Sequence, residues 1–438
     1  MANGKDFSLT SANFGPKGWA LCFYLFFGYY LNTSMNTGWQ NSLNYYNATY
    51  GWDTTLLLSL VSVAQFIGIA LCFVLGRVAL KVSTRKMAIV TGTIVVACCF
   101  GINFATTIPV FIAIEMIAVM SQVAWVYTLN PLFVASWFPR KKGVVMGIVT
   151  IGVPLGAGTV SKIMNWIGAN WGLNYCLPFV GCVGLAALLL LIFVVRDTPE
   201  EAGCTPDNDP NMTTEDVRRM AAETEAIASG SPWTSVRMLT TKESYMIALT
   251  IGMMVLFGGG FMGTNVLRML SIGLEIGTAV NLMLLTAGCA CVSSYVFGIV
   301  DGKYGPRVGT QLCFVLCIIA CAFSAAASYL TSIPCLVIGL IFGGGVIGGA
   351  VNFLTSITIE YWGAANFKRS YGILYPICQV PGSLGTLVIV QTASRLGGYQ
   401  VSYTMMTVIM IIALIVFSAV KDGSFVKKSE EKWAAEVQ

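Results

Sequence analysis

The chain has 438 residues, of which 56% are hydrophobic and only 10% charged, with a mean hydropathy of +0.75. That is more apolar surface than a soluble core can hide, so an ordinary water-soluble domain is excluded and a lipid bilayer is the expected solvent. The formal net charge is +5 and histidine is absent, which excludes imidazole metal sites and histidine proton relays; the cations are explained by their loop positions, with no nucleic-acid partner implied.

Residues 1–16 are short and polar and have no apolar core ahead of a cleavage site, so no removable signal peptide is expected. The first span, 17–40, should therefore remain in the mature protein. Further apolar stretches long enough to cross about 30 Å at about 1.5 Å per residue run near 54–79, 86–106, 108–136, 143–165 and 173–195. After a polar interval come 244–267, 276–300, 308–328, 333–360, 367–394 and 399–420, which predicts an all-α membrane protein of twelve transmembrane helices.

The cations test that count. Alternate loops at 41–53, 103–109, 165–174 and 329–334 contain no lysine or arginine, and the other two loops of that set hold only Arg268 and Arg395. The opposite set carries Arg77, Lys81, Arg85, Lys86, Arg140, Lys141, Lys142, Arg196, Lys303, Arg307, Lys368 and Arg369. The positive-inside rule places that set, both termini and the polar interval in the cytoplasm.

That interval, 196–243, divides the chain into an N-terminal six-helix bundle (1–195) and a C-terminal six-helix bundle with a tail (244–438). Thr213, Thr214, Glu215 and Asp216 read as a helix start, with a threonine cap and an acid three positions on. Val217 to Ala228 is rich in helix formers, so a short amphipathic helix is expected in an otherwise solvated tether. The 14 cysteines lie almost all inside apolar spans, as Cys313, Cys317 and Cys321 do at helical spacing, and read as packing residues rather than a disulfide or metal framework.

Two loops at corresponding places in the halves carry related patterns. One contains Gly76, Arg77, Lys81, Arg85 and Lys86; the other contains Gly298, Asp301, Gly302, Lys303, Gly305 and Arg307. Both resemble the signature cytoplasmic loop of the major facilitator superfamily, in which glycines permit close helix approach and cations meet carboxylates or helix C-termini. Leu80 stands where the first loop would carry an acid, Ser83 stands where it would carry its second glycine, and Asp301 sits one residue early.

The run Trp137-Phe138-Pro139-Arg140-Lys141-Lys142-Gly143, with Gly147, Gly152, Pro154, Gly156 and Gly158 after it, is similar to the span-four to span-five region of oxalate/formate antiporter-like and monocarboxylate-transporter-like families. Asp197-Thr198-Pro199-Glu200-Glu201-Ala202-Gly203 resembles the opening of their central segment. The resemblance implies two pseudo-symmetric bundles that transport a small carboxylate or other organic anion by alternating access. The glycines and Pro154 would let span five pack closely and bend.

Glu115 is the one carboxylate well inside a predicted span. Lys162 lies near the outer end of span five, Arg268 and Glu275 flank the loop after span seven, and Glu360 marks the inner end of span ten. A charge at mid-membrane costs at least about 2.5 kcal/mol and marks either a pathway or a partner. Glu115 and Lys162 can therefore be a structural pair or part of the pathway, and Arg268 and Lys162 are the cations available to attract an anion. The resemblance implies cations in spans eight and eleven for compact dicarboxylates; Gln379 stands in span eleven instead.

Neutral polar and aromatic groups mark the expected binding surface: Tyr29, Asn32, Asn36 and Gln40 in span one, Gln122 and Trp125 in span four, Asn352 and Thr355 in span ten, Tyr371, Tyr375 and Gln379 in span eleven. Such groups orient a partly apolar ligand, although for each residue taken alone a hydrogen bond between helices is the commoner use.

The leading reading is a secondary active transporter of an amphipathic or aromatic monocarboxylate in the cytoplasmic membrane, working as a monomer without a cofactor. Protons or a counter-anion would be its co-substrate, by symport or antiport. A carrier or exporter of a neutral amphipathic compound is the alternative, and a membrane sensor on a transporter fold a further one. An enzyme is not expected, because no nucleophile with a histidine base and no nucleotide-binding glycine loop is present. The run Gly343-Gly344-Gly345-Val346-Ile347-Gly348-Gly349 lies in an apolar span and reads as helix packing rather than phosphate binding.

Overall fold

The computed structural model describes the backbone of residues 11–420 and 423–435, and their side chains except at 36, 37, 39–44, 54–62, 65, 161, 214, 276, 280, 351 and 434. Among the described residues every element is helical. The chain forms two compact units, one of residues up to 139 with 148–219, the other of 140–147 with 220 onward.

In the first unit, α1 (Gly15–Tyr50) opens on Pro16 and stops at Gly51, whose left-handed backbone turns its N–H onto the Asn47 carbonyl. Proline at a helix start gives up a donor that has no partner there anyway, and glycine takes the positive φ at no steric cost. α2 (Thr54–Val78) follows, then α3 (Thr84–Gly101), capped by the Ser83 hydroxyl accepting from Lys86 N. α4 (Ile108–Val123) widens into π turns over Ala124–Leu129 before α5 (Asn130–Trp137). Pro131 explains the widening: it cannot donate to the preceding turn and its ring displaces the backbone there.

Span five is also two helices, α6 (Lys142–Val149) and α7 (Gly152–Asn170). Pro154 leaves the Thr150 carbonyl without its ordinary donor, and Val153 N bonds it instead at 3.1 Å. The bend therefore falls just before the proline, at Thr150–Ile151. α8 (Cys176–Phe193) completes this part of the chain.

The polar interval is pinned rather than freely solvated at its start. Asp197 accepts from Arg85 N at 2.7 Å and from the Ser83 hydroxyl; Trp137 Nε1 donates to Arg196 O at 3.2 Å, and Lys17 donates to Ala202 O. α9 (Thr214–Gly230) begins with Thr213 Oγ1 accepting from Asp216 N at 3.2 Å and Asp216 Oδ2 accepting from Thr213 N at 3.1 Å. The Thr213 hydroxyl, which also donates to Asp216 Oδ2 at 2.7 Å, and then that backbone N–H hold the Asp216 carboxyl below the usual carboxylate range.

The second unit takes α10 (Ser235–Thr240), α11 (Lys242–Ser271), α12 (Ile276–Tyr304), α13 (Pro306–Leu330), α14 (Ile333–Ser383), α15 (Gly385–Leu396), α16 (Tyr399–Ala419) and α17 (Ser424–Ala435). α14 is continuous by hydrogen bonding but breaks at Gly363, with φ 76° and ψ 161°, a conformation reserved for glycine. Among the described residues nine segments are long and apolar enough to cross a membrane, the 64-residue Ile333–Leu396 counted as one. With that segment divided at Gly363 and α1 and α2 added, the helices are consistent with twelve spans.

The glycine run of α14 is where α12 comes closest. A Cβ on Gly344 would lie 2.5 Å from Thr286 O, and one on Gly348 would overlap Ala290 O. Only bare backbones fit at that separation, the small-residue packing that membranes favour.

The far end of the polar interval is held by α17. Trp233 is fully buried and donates from Nε1 to Glu430 at 2.8 Å; its ring meets Trp433 at 4.8 Å and Trp362 at 5.9 Å, and Arg369 donates to its carbonyl at 2.7 Å. The expected tether thus shortens, for each end has an aromatic or charged anchor in its own unit.

Candidate functional site

The two signature loops do parallel structural work. Arg85, at the start of α3, donates to Leu191 O at 3.3 Å and Ile192 O at 2.5 Å, the last carbonyls of α8. Arg307, at the start of α13, donates to Ser418 O at 3.1 Å near the end of α16. Each guanidinium satisfies carbonyls at a helix C-terminus, where the helix dipole also favours a cation. The first loop lacks its own acid, and Asp197 supplies a carboxylate from the polar interval instead.

In the second unit Asp301 is buried and accepts from the Ser356 hydroxyl, while Lys142 lies 3.8 Å from Glu360. Gly143 and Gly147 belong to this cluster. A side chain on Gly143 would lie 2.5 Å from Asp301 Oδ2, and one on Gly147 would lie 2.8 Å from Gly298 Cα. The two sequence motifs, span five and the loop after span eight, therefore meet at bare glycines. Lys86 and Arg77 are exposed, Gly76 is buried, and Gly305 takes a positive φ of 84° to separate α12 from α13.

The neutral residues of the first unit form a bonded network. Gln122 Nε2 donates to Asn32 Oδ1 at 2.7 Å and to Asn32 O at 2.9 Å; Asn32 Nδ2 donates to Tyr127 OH at 2.8 Å. Trp125 Nε1 donates to Tyr24 OH at 2.7 Å, and the rings of Tyr29 and Tyr127 stand 6.1 Å apart. Tyr24 and Tyr127 were not among the phenols named from sequence, because nothing local marks which phenol will face an indole or an amide; the π turns present Tyr127 to Asn32. The side chains of Asn36 and Gln40 lie outside those described.

Glu115 is 1% exposed and its Oε1 has no hydrogen-bond partner. Lys162 is exposed, and no ion pair joins the two among the described residues. Asn130 was missed as well: it is fully buried against Gly28, with neither amide atom hydrogen-bonded.

In the second unit Tyr371 and Tyr375 stack at 5.6 Å, Asn352 and Thr355 are fully buried, and Gln379 is half-buried. The sharpest feature is Arg268. It is 0% exposed, and Nε, Nη1 and Nη2 all lack hydrogen-bond partners. Its Cζ lies 4.6 Å from the Tyr403 ring centre and 5.5 Å from that of Phe261, and among the described residues no carboxylate forms an ion pair with it. Ring faces attract a cation but do not take its N–H donors. A buried guanidinium held this way can receive an oxyanion by two parallel hydrogen bonds. No group of three or more His, Cys, Asp or Glu is arranged to hold a metal ion among the described residues.

A search of curated protein sequences gives no significant match. Among solved structures the chain resembles the human organic anion transporter MFSD10 (TETRAN), with a TM-score of 0.69 and 14% identity, over 92% of this chain and 99% of that one. It resembles equally the proton:xylose symporter XylE bound to 6-bromo-6-deoxy-D-glucose, at 0.69 and 14%, over 92% of this chain and 96% of the other. At such identity these are likenesses of fold. The family model described as Major Facilitator Superfamily matches residues 18–386, and the chain belongs to that superfamily of multi-pass membrane transporters.

Proposed function

We propose that this secondary transporter moves a small organic anion, an amphipathic or aromatic monocarboxylate, across the cytoplasmic membrane. Its halves, 1–195 and 244–438, joined through 196–243, expose the site alternately to each side, with both termini and the basic loops in the cytoplasm. Inverted or repeated halves rocking about a fixed site are the usual means of such transport. The observation that supports an anion is Arg268: burying a guanidinium without a carboxylate is costly, and a ligand oxyanion removes that cost each time it binds. Tyr29, Asn32, Gln122 and Trp125 in the first unit, and Asn352, Tyr375 and Gln379 in the second, are the neutral groups each unit offers to orient the rest of a ligand.

Uptake into proteoliposomes by a panel of carboxylates tests this, comparing an imposed pH gradient with a preloaded counter-anion. Concentrative uptake of monocarboxylates under one of the two conditions is the expected result. The neutral Gln122–Asn32–Tyr127 network favours a second reading, carriage of an uncharged amphipathic compound; uptake of such compounds with no carboxylate uptake would move the function there.

A further inference from the structure

Asn265 stands one helical turn before Arg268 on α11 and is equally buried, at 0% exposure, with neither Nδ2 nor Oδ1 hydrogen-bonded. Residues three apart share a helix face, here roughly 60° apart about the axis. The Arg268 side chain leans back along that face towards Phe261, while Tyr403 closes it and lies 3.4 Å, oxygen to oxygen, from Thr264. Five unsatisfied polar atoms thus belong to one turn of one helix, in a fold where such atoms ordinarily find partners.

Their chemistry is uneven. Four of them, Arg268 Nε, Nη1 and Nη2 and Asn265 Nδ2, are donors, and a single carboxylate answers them. Asn265 Oδ1 is an acceptor and needs an O–H or N–H that a plain carboxylate lacks. An ammonium beside the guanidinium would be repelled, so a neutral donor fits. The walls given by Phe261 and Tyr403 are aromatic.

Resting on the organic-anion reading, we propose that Asn265 and Arg268 form one binding subsite for a monocarboxylate carrying a hydroxyl next to its carboxylate and an apolar or aromatic body. Arg268 takes the carboxylate; Asn265 accepts from the hydroxyl and selects for it. The subsite is closed in this conformation, so ligand reaches it only when the side chains around α11 and α16 part.

Mandelate and phenylacetate differ by that hydroxyl alone, and their counterflow in proteoliposomes reads the selection directly. Wild type should prefer mandelate by about tenfold or more, the lower end of what a buried acceptor left without its donor costs. Asn265→Leu should bring the ratio near one, and Arg268→Ala should cut both fluxes by roughly tenfold or more. Equal counterflow of the two acids in wild type, both cut in Arg268→Ala, would overturn the Asn265 assignment and leave anion transport standing. No flux of either acid or of any other carboxylate in wild type would remove the underlying reading with it. Should Asn265→Leu fail size-exclusion chromatography, the wild-type ratio decides, with Asn265→Ser expected to retain part of it.

Discussion

Arg268 and Glu115 are both buried charges, yet they present opposite problems. Arg268 has aromatic faces around it and donors to spare; Glu115 has an unpartnered oxygen and, among the described residues, no cation paired with it. A carboxyl in that setting is tolerated by taking a proton or meeting a mobile cation, so proton coupling through a protein carboxylate would run through Glu115. Glu115→Gln is then expected to abolish accumulation driven by a pH gradient while leaving substrate counterflow. Retained pH-driven accumulation in a well-folded Glu115→Gln protein would assign the proton to the substrate or make the carrier an exchanger. Lys162, exposed and unpaired with Glu115, should matter little: Lys162→Ala should change anion uptake by no more than about fivefold, the scale of an exposed charge contact. Arg268, Glu115 and Asn32 were legible from sequence because polar groups in apolar runs stand out. Asn265, Asn130 and Tyr127 were not, because their importance depends on which neighbours fail or happen to reach them.

At the scale of helices, close approach is the recurring device. The run from Gly343 to Gly349 is apolar by context and was readable as packing rather than phosphate binding; the structure sets its glycines against the Thr286 and Ala290 carbonyls. Gly348→Val forces branched carbons into backbone and is expected to destabilise by about 1–3 kcal/mol or more, read as a lower melting temperature in detergent; an unchanged melting temperature would mean α12 and α14 have room to part. The bend of span five was expected from Pro154 and its glycines, and it falls three to four residues earlier because the proline's missing donor is felt by the preceding carbonyl. The widened turn before Pro131 follows the same logic and was not foreseen. The free tether was overestimated for a different reason: composition marks Arg196 to Glu243 as polar, while the anchors that hold its ends, Asp197 to Ser83 and Trp233 to Glu430, join residues more than a hundred positions apart.

For the whole molecule, hydropathy and basic-loop alternation carried most of the architecture, and the helices agree with the twelve-span expectation. Orientation rests on charge alone, so it has its own test. In a cysteine-free background, a single cysteine at Asn47 should label from outside intact cells and one at Ser229 only after permeabilisation; the reverse pattern would invert the topology. In the proposed transport cycle a buried guanidinium receives the anion. Uptake of a monocarboxylate and of its neutral amide analogue, in proteoliposomes containing wild type or Arg268→Ala, tests it most directly. Loss of a charge-assisted contact of about 1.5–3 kcal/mol predicts a reduction of roughly tenfold or more for the carboxylate, with amide uptake little changed. Equal losses for both ligands, in protein that still folds, would contradict that role and return Arg268 to the packing of α11 against Tyr403.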